Sequence, residues 1–289
     1  MVSIRYEAPR SLPDAVRLIE ADPGAKVIAG GTDLLVQFRA GMRHPTAFVD
    51  IKRIPELVGV TIDERELRLG AATAAAVIGE HAGFRRLWPG LAEAVRLIGS
   101  TQIQGRGTVG GNLCNASPAA DTTGALIVNR AECVIVGPKG ERTVPVERFC
   151  TAPGKTVLER GELLVALRLP RPASRTADAY LRLIPRSEMD IAVVGAAVSV
   201  TLDNAGVCTA ARVAIGAVAP TALVVDAAAR ALVGSRLDEA ALRAAGEAAS
   251  AAAKPIDDKR GTAAYRRRVA GVLTRRAARS AAERAVSTR

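Results

Sequence analysis

The chain has 289 residues, 49% of them apolar, enough for one large hydrophobic core or two to three smaller ones. Aromatics make up only 3%, so those cores must be built from Ala, Val, Leu and Ile, with little left for base-stacking platforms. The net charge is +11, but residues 254–289 carry eleven Lys and Arg against Asp257, Asp258 and Glu283; the remainder is near neutral, which argues against a global nucleic-acid or membrane-binding face.

The four cysteines, Cys114, Cys133, Cys150 and Cys208, form no C-x-x-C pair and have no histidine beside them. That excludes the common metal-site spacings and points to free thiols in a reducing cytoplasm. The start, Met1-Val2-Ser3-Ile4-Arg5, holds no apolar signal core, and the longest apolar run, 191–202, is too short to span a bilayer.

In chain order, 4–7 is a short strand. Ser11 then caps a helix with Pro13 in its first turn, closed near Asp22. Residues 26–29 form a buried strand ended by Gly30 and Gly31, and Thr32 or Asp33 caps a helix through Arg39, stopped by Gly41. With a strand at 47–51, this makes a βαβαβ unit of roughly fifty residues. Residues 57–62 and 66–70 read as an antiparallel pair, followed by a helix capped by Thr73 and a second helix at 91–98. Residues 122–129 are helical or extended; 132–137, 142–146 and 163–169 are strands. The Pro-rich stretch from Pro170 is a linker. Two long strands, 190–202 and 207–218, meet at a hairpin turn, and helices follow at 225–233, 237–253 and 263–285. The last helix is expected to bury Tyr265, Val269, Val272, Leu273 and Ala277. The fold class is α+β, with domains at 1–173 (subdomains about 1–54 and 55–173) and 174–289.

Two glycine segments carry the chemistry. Residues 105–121 crowd Gly105, Gly107, Gly110 and Gly111 together with Asn112, Asn115, Thr108, Ser117 and Asp121. Gly105 to Gly110 matches G-x-G-x-x-G, but a helix precedes it where a dinucleotide fingerprint needs a strand. Ala29-Gly30-Gly31-Thr32-Asp33 sits at a better junction, where backbone N–H groups at a strand-to-helix turn favour an anion. The plainer reading is a tight turn with a cap. Asp33 counts against a phosphate there unless its carboxylate turns away. Two such turns can hold one pyrophosphate between them. His44, His81, Lys52 and Lys155 show no partners in the sequence, and no Ser-His-Asp set appears.

Ala29-Gly-Gly-Thr-Asp-Leu34, followed by Gly107-Thr-Val-Gly-Gly-Asn112 and Asn115-Ala-Ser-Pro-Ala-Ala-Asp121, resembles the FAD-binding medium subunits of the molybdenum hydroxylases, the carbon monoxide and xanthine dehydrogenase family. Gly161-Glu-Leu-Leu, Arg186-Ser-Glu-Met-Asp-Ile-Ala and Pro255-Ile-Asp-Asp-Lys-Arg extend the likeness over nearly the whole chain.

The resemblance implies a two-subdomain FAD-binding unit (PCMH-type), followed by an antiparallel C-terminal sheet with helices. It places the pyrophosphate against Val27, Ile28, Ala29, Gly30, Gly31, Thr32, Asp33 and Leu34 and against Thr108, Gly110, Gly111 and Asn112. Ile98 and Gly99 would lie by the flavin ring, and Leu164 would pack near it. Asn115 and Ser117 would support the second loop or bond the pyrophosphate and ribityl groups, and Asp121 would accept from a ribose hydroxyl. Arg182 stands where the family has a lysine near the isoalloxazine; Tyr180 reaches the flavin or is a core aromatic. The partners implied are a molybdenum-cofactor large subunit and a [2Fe–2S] small subunit, as a dimer of heterotrimers, with a quinone, NAD⁺ or oxygen as external acceptor. A stand-alone FAD-dependent oxidase and a nucleotide-binding accessory factor are the rival readings. The basic tail is a solvated helix face or a dock for an acidic partner, rather than a nucleic-acid site.

Overall fold

The computed structural model describes residues 4–287; the chain start and Arg289 of the basic tail lie outside them. The first unit runs β1 (Arg5–Glu7), α1 (Leu12–Ala21), β2 (Lys26–Ile28), α2 (Leu34–Arg39) and β3 (Ala47–Asp50), in a parallel sheet of order β1-β3-β2. Parallel neighbours need crossovers, which α1 and α2 supply. Ser11 caps α1 by accepting from the Asp14 N–H.

The second unit holds β4 (Val60–Ile62), β5 (Glu66–Gly70), α3 (Ala75–Glu80), α4 (Ala82–Leu87), α5 (Pro89–Arg96), α6 (Thr101–Gln104), α7 (Val109–Cys114), α8 (Asp121–Val128), β6 (Glu132–Gly137), β7 (Gly140–Pro145), β8 (Cys150–Ala152), β9 (Lys155–Thr156) and β10 (Leu163–Pro170). Its antiparallel sheet has the order β4-β5-β10-β6-β7, so β10 returns from far along the chain to the centre. Thr73 does not cap α3. Its hydroxyl bonds both the N–H and the carbonyl of Gly59, and Ala74 takes the cap position.

The third unit is an antiparallel sheet, β11 (Thr176–Leu183), β12 (Val194–Leu202), β13 (Cys208–Gly216) and β14 (Leu223–Val224), backed by α9 (Asp226–Leu232), α10 (Glu239–Ala252) and α11 (Ala263–Ser287). The expected linker is shorter than its composition suggested, because β10 includes Pro170 and β11 begins at Thr176. Every residue of α8 is buried, since the helix is packed between the second unit and the third sheet. That all-round burial explains why its sequence lacks a helical stripe.

The buried side of α11 keeps the expected Leu273 and Ala277 but is otherwise different. It is an alanine seam, Ala270, Ala277, Ala278, Ala281 and Ala285, with Leu273 and Thr274, whereas Tyr265 and Val272 are exposed. Gly246 and Gly271 let α10 and α11 meet backbone to backbone: a Cβ on Gly271 would lie 2.7 Å from the Gly246 carbonyl oxygen. The tail's arginines are also less free than a solvated basic face. Arg266 is buried, bonding the Val193 carbonyl (2.8 Å) and Asp258 (2.5 Å). Arg275 and Arg279 pair with Glu239, and Arg284 pairs with Glu93.

Asp178, on β11, ties the third unit to the second. Its carboxylate accepts from the N–H groups of Gly90 (2.9 Å) and Leu91 (2.8 Å) at the start of α5 and from Asn129 Nδ2 (2.7 Å). Burial pushes this carboxyl up, against the pull of those donors. Among the described residues no helix is long and apolar enough to cross a membrane.

Candidate functional site

The first glycine turn follows β2 directly. Gly31 takes φ +75°, a left-handed conformation that side chains disfavour. Gly30 is required for a different reason. A Cβ there would sit 2.0 Å from the Arg106 carbonyl oxygen, so the first turn is pressed against the backbone of the second segment. Among the described residues, nothing accepts from the N–H groups of Gly30, Gly31, Thr32 or Asp33. Four consecutive unclaimed donors in one turn are groups that could hold an anion.

The second segment uses its glycines for packing. Gly110 lies in the first turn of α7, where a Cβ would fall 2.4 Å from the Ala71 carbonyl oxygen. Thr108 caps this helix by accepting from the Gly111 N–H at 2.8 Å. Asn115 joins the two segments. Its Oδ1 accepts from Gln37 Nε2 (2.9 Å), and its Nδ2 donates to Asp33 Oδ1 (3.3 Å). The Asp33 side chain therefore makes no helix-cap bond, contrary to the expected cap, and is drawn toward Asn115. Asn112 is held by the Thr122 hydroxyl (2.7 Å).

Between the segments lies an open cleft of ≈ 280 Å³. Val27, Ile28, Ala29, Gly30, Gly31, Thr32, Asp33, Leu34, Ile98, Thr108, Gly110, Gly111, Asn112, Asn115 and Leu164 all line it. Sequence reasoning missed Gln37, Arg43, Gly107, Cys114 and Glu162, which line it too. Gly107 was within the glycine motif and Glu162 within Gly161-Glu-Leu-Leu, so both had a signal. Cys114 also lies within the 105–121 segment, between Asn112 and Asn115, whereas Gln37 and Arg43 had no signal. The Cys114 thiol is pushed up to about 12 by burial and the nearby Cys150, so it is a protonated wall group rather than a nucleophile.

Four expected residues lie outside the lining. Gly99 turns the chain between α5 and α6 at φ +58°. The Ser117 hydroxyl accepts from the Ala119 N–H (3.2 Å). Asp121 and Arg182 are joined to each other at 2.7 Å, and the Tyr180 hydroxyl donates to Asp121 at 3.0 Å. Asp121 therefore has its two oxygens engaged from β11, which the ribose reading did not anticipate. Burial raises its carboxyl to about 6, with Arg182 and Tyr180 pulling it down. Among the described residues the buried Arg182 Nε has no acceptor.

Residues 2–172 match the family described as the FAD binding domain in molybdopterin dehydrogenase, and residues 179–281 match the CO dehydrogenase flavoprotein C-terminal domain. The chain belongs to the FAD-binding subunits of the molybdenum hydroxylase family. It is 35% identical to the carbon monoxide dehydrogenase medium chain of Hydrogenophaga pseudoflava, over 96% of each chain. It is 37% identical to the xanthine dehydrogenase FAD-binding subunit of Escherichia coli O157:H7, over 75% of this chain and 74% of that one. The structure of reconstituted CO dehydrogenase from Oligotropha carboxidovorans aligns with a TM-score of 0.94 at 34% identity, covering 98% of each chain. The α+β architecture and FAD as cofactor follow from this membership. The geometry suits it: a diphosphate needs a row of free N–H donors, and the first turn provides one.

Proposed function

We propose that the chain is the electron-transfer subunit of a heteromeric molybdenum hydroxylase. In this reading electrons come from [2Fe–2S] clusters of a small partner subunit, and an external acceptor, a quinone, NAD⁺ or oxygen, takes them from the flavin held here. A molybdenum-cofactor large subunit oxidises the substrate, and the assembly is a dimer of heterotrimers in the cytoplasm. FAD supplies the exchange between one-electron and two-electron steps.

The four unclaimed N–H groups of the first turn carry this reading. They would hold the diphosphate without adding a side-chain charge. Thr108, Gly110, Gly111 and Asn112 would close the other side from the start of α7, whose N-terminal dipole favours the same anion. Ile98 and Leu164 would exclude water from the ring. Asn115 would fix the separation of the two jaws, whereas Gly99, Ser117, Asp121 and Arg182 would support the site from behind.

The test is isolation of the native protein. Flavin absorbance at about 450 nm together with co-purifying iron–sulfur and molybdenum subunits is the expected result. Native protein that carries flavin but never meets such partners would refute the subunit role.

A further inference from the structure

Lys52 showed no partner in the sequence, and the structure gives it two. Its Nζ donates to the Ala29 carbonyl oxygen at 2.8 Å and to Asp50 Oδ1 at 2.6 Å. Asp50 closes β3 and is itself buried. It also accepts from the Lys52 backbone N–H at 3.0 Å and from the Tyr6 hydroxyl on the neighbouring strand β1. Burial opposes the Asp50 charge, but the bonds from Lys52 and Tyr6 outweigh it and hold the carboxyl below its ordinary value. The ammonium is therefore fixed by a charged, enclosed partner.

We infer that Lys52, braced by Asp50 and Tyr6, is a positioning residue that sets the first glycine turn for the diphosphate of FAD. The inference rests on the reading of that turn as the diphosphate site. A trans peptide points its carbonyl and its N–H in opposite directions. Holding the Ala29 carbonyl from behind therefore fixes the direction of the Gly30 N–H, the first of the four unclaimed donors. On the other flank, the Arg106 backbone packs so closely on Gly30 that a Cβ there would lie 2.0 Å from its carbonyl oxygen. A glycine turn free to rotate would lose that freedom on binding, and Lys52 removes the loss in advance. Lys52 is absent from the cleft lining, so it acts through the backbone rather than by contact.

The test uses the full chain and three ligands: FAD, ADP as a diphosphate without flavin, and riboflavin as a flavin without diphosphate. Lys52→Met alone would leave Asp50 buried without its counter-charge, so the informative variant is the double substitution Lys52→Met with Asp50→Asn, which removes both charges. It should weaken FAD and ADP binding by the same factor, about tenfold, and leave riboflavin unchanged, with the unfolding midpoint of the flavin-free chain close to that of the parent. Tyr6→Phe should show the same selectivity with a smaller factor. Unchanged FAD affinity in the double variant would overturn the inference. So would equal losses for FAD and riboflavin, because that marks general collapse of the cleft. A parent chain that binds neither FAD nor ADP would instead overturn the reading of the site, and this inference with it.

Discussion

The two glycine segments look alike in sequence and work differently in the structure. In the first, glycine lets the backbone present donors: Gly31 takes a positive φ, Gly30 lies against Arg106, and among the described residues four N–H groups stay unclaimed. In the second, glycine lets a helix approach a strand: Gly110 meets the end of β5 at Ala71, and Thr108 already occupies the Gly111 N–H. In the proposed reading the first segment is the ligand surface, and the second is the packing that brings its partner jaw into place. Composition alone cannot separate these uses, because both need a missing Cβ.

Substitution should separate them. Gly110→Ala places a methyl 2.4 Å from a buried backbone carbonyl, and we expect a loss of about 3 kcal/mol or more in the stability of the flavin-free chain. Urea unfolding checks this. Gly30→Ala meets the carbonyl of the exposed Arg106 directly beside the four donors, so its main effect should be on the ligand. FAD binding should weaken about a hundredfold, near 2.7 kcal/mol, with a smaller stability change. If Gly30→Ala unfolded the chain while Gly110→Ala spared it, the division between the segments would be wrong.

The far end of the second segment gives a pH test. Asp121 titrates at about 6 in the folded chain, above its value when unfolded. Between roughly pH 4 and 6 the folded chain keeps a proton that the unfolded chain has released, so this group's contribution is full at low pH and falls as pH rises through that window. Relative to Asp121→Asn, the parent should lose about 1–3 kcal/mol between pH 4.5 and 7. A constant difference in urea midpoints would show that Arg182 and Tyr180 fully offset burial. The smallest effect is Thr108→Ala, about 1 kcal/mol from the lost cap; a thermal melt that does not shift would leave α7 held by packing alone.

Local patterns made the first unit readable: the Ser11 cap, the strand-turn-helix at Gly30, and the alternation of strand and helix. The family likeness rested on the two glycine segments and their spacing, and the cleft gathers most of the residues it implied. What stayed hidden depends on partners distant in the chain. Strand β11 was missed because Ala177, Asp178 and Ala179 have weak strand character, and Asp178 looks like a surface acid until Gly90, Leu91 and Asn129 surround it. On α11 the pattern finds Leu273 and Ala277 but not the rest of the alanine seam, because the larger Tyr265 and Val272 dominate a hydrophobicity reading yet point outward. Arg182 and Asp121 were assigned to the ligand separately, and only the third sheet reveals that they hold each other.

A crystal structure of the FAD-bound chain tests the central claim most directly. The account predicts diphosphate oxygens about 2.7–3.2 Å from the backbone nitrogens of Gly30, Gly31, Thr32 and Asp33, with the Ala29 carbonyl still bonded to Lys52. A diphosphate bound elsewhere, with those four N–H groups left unpaired, would contradict it.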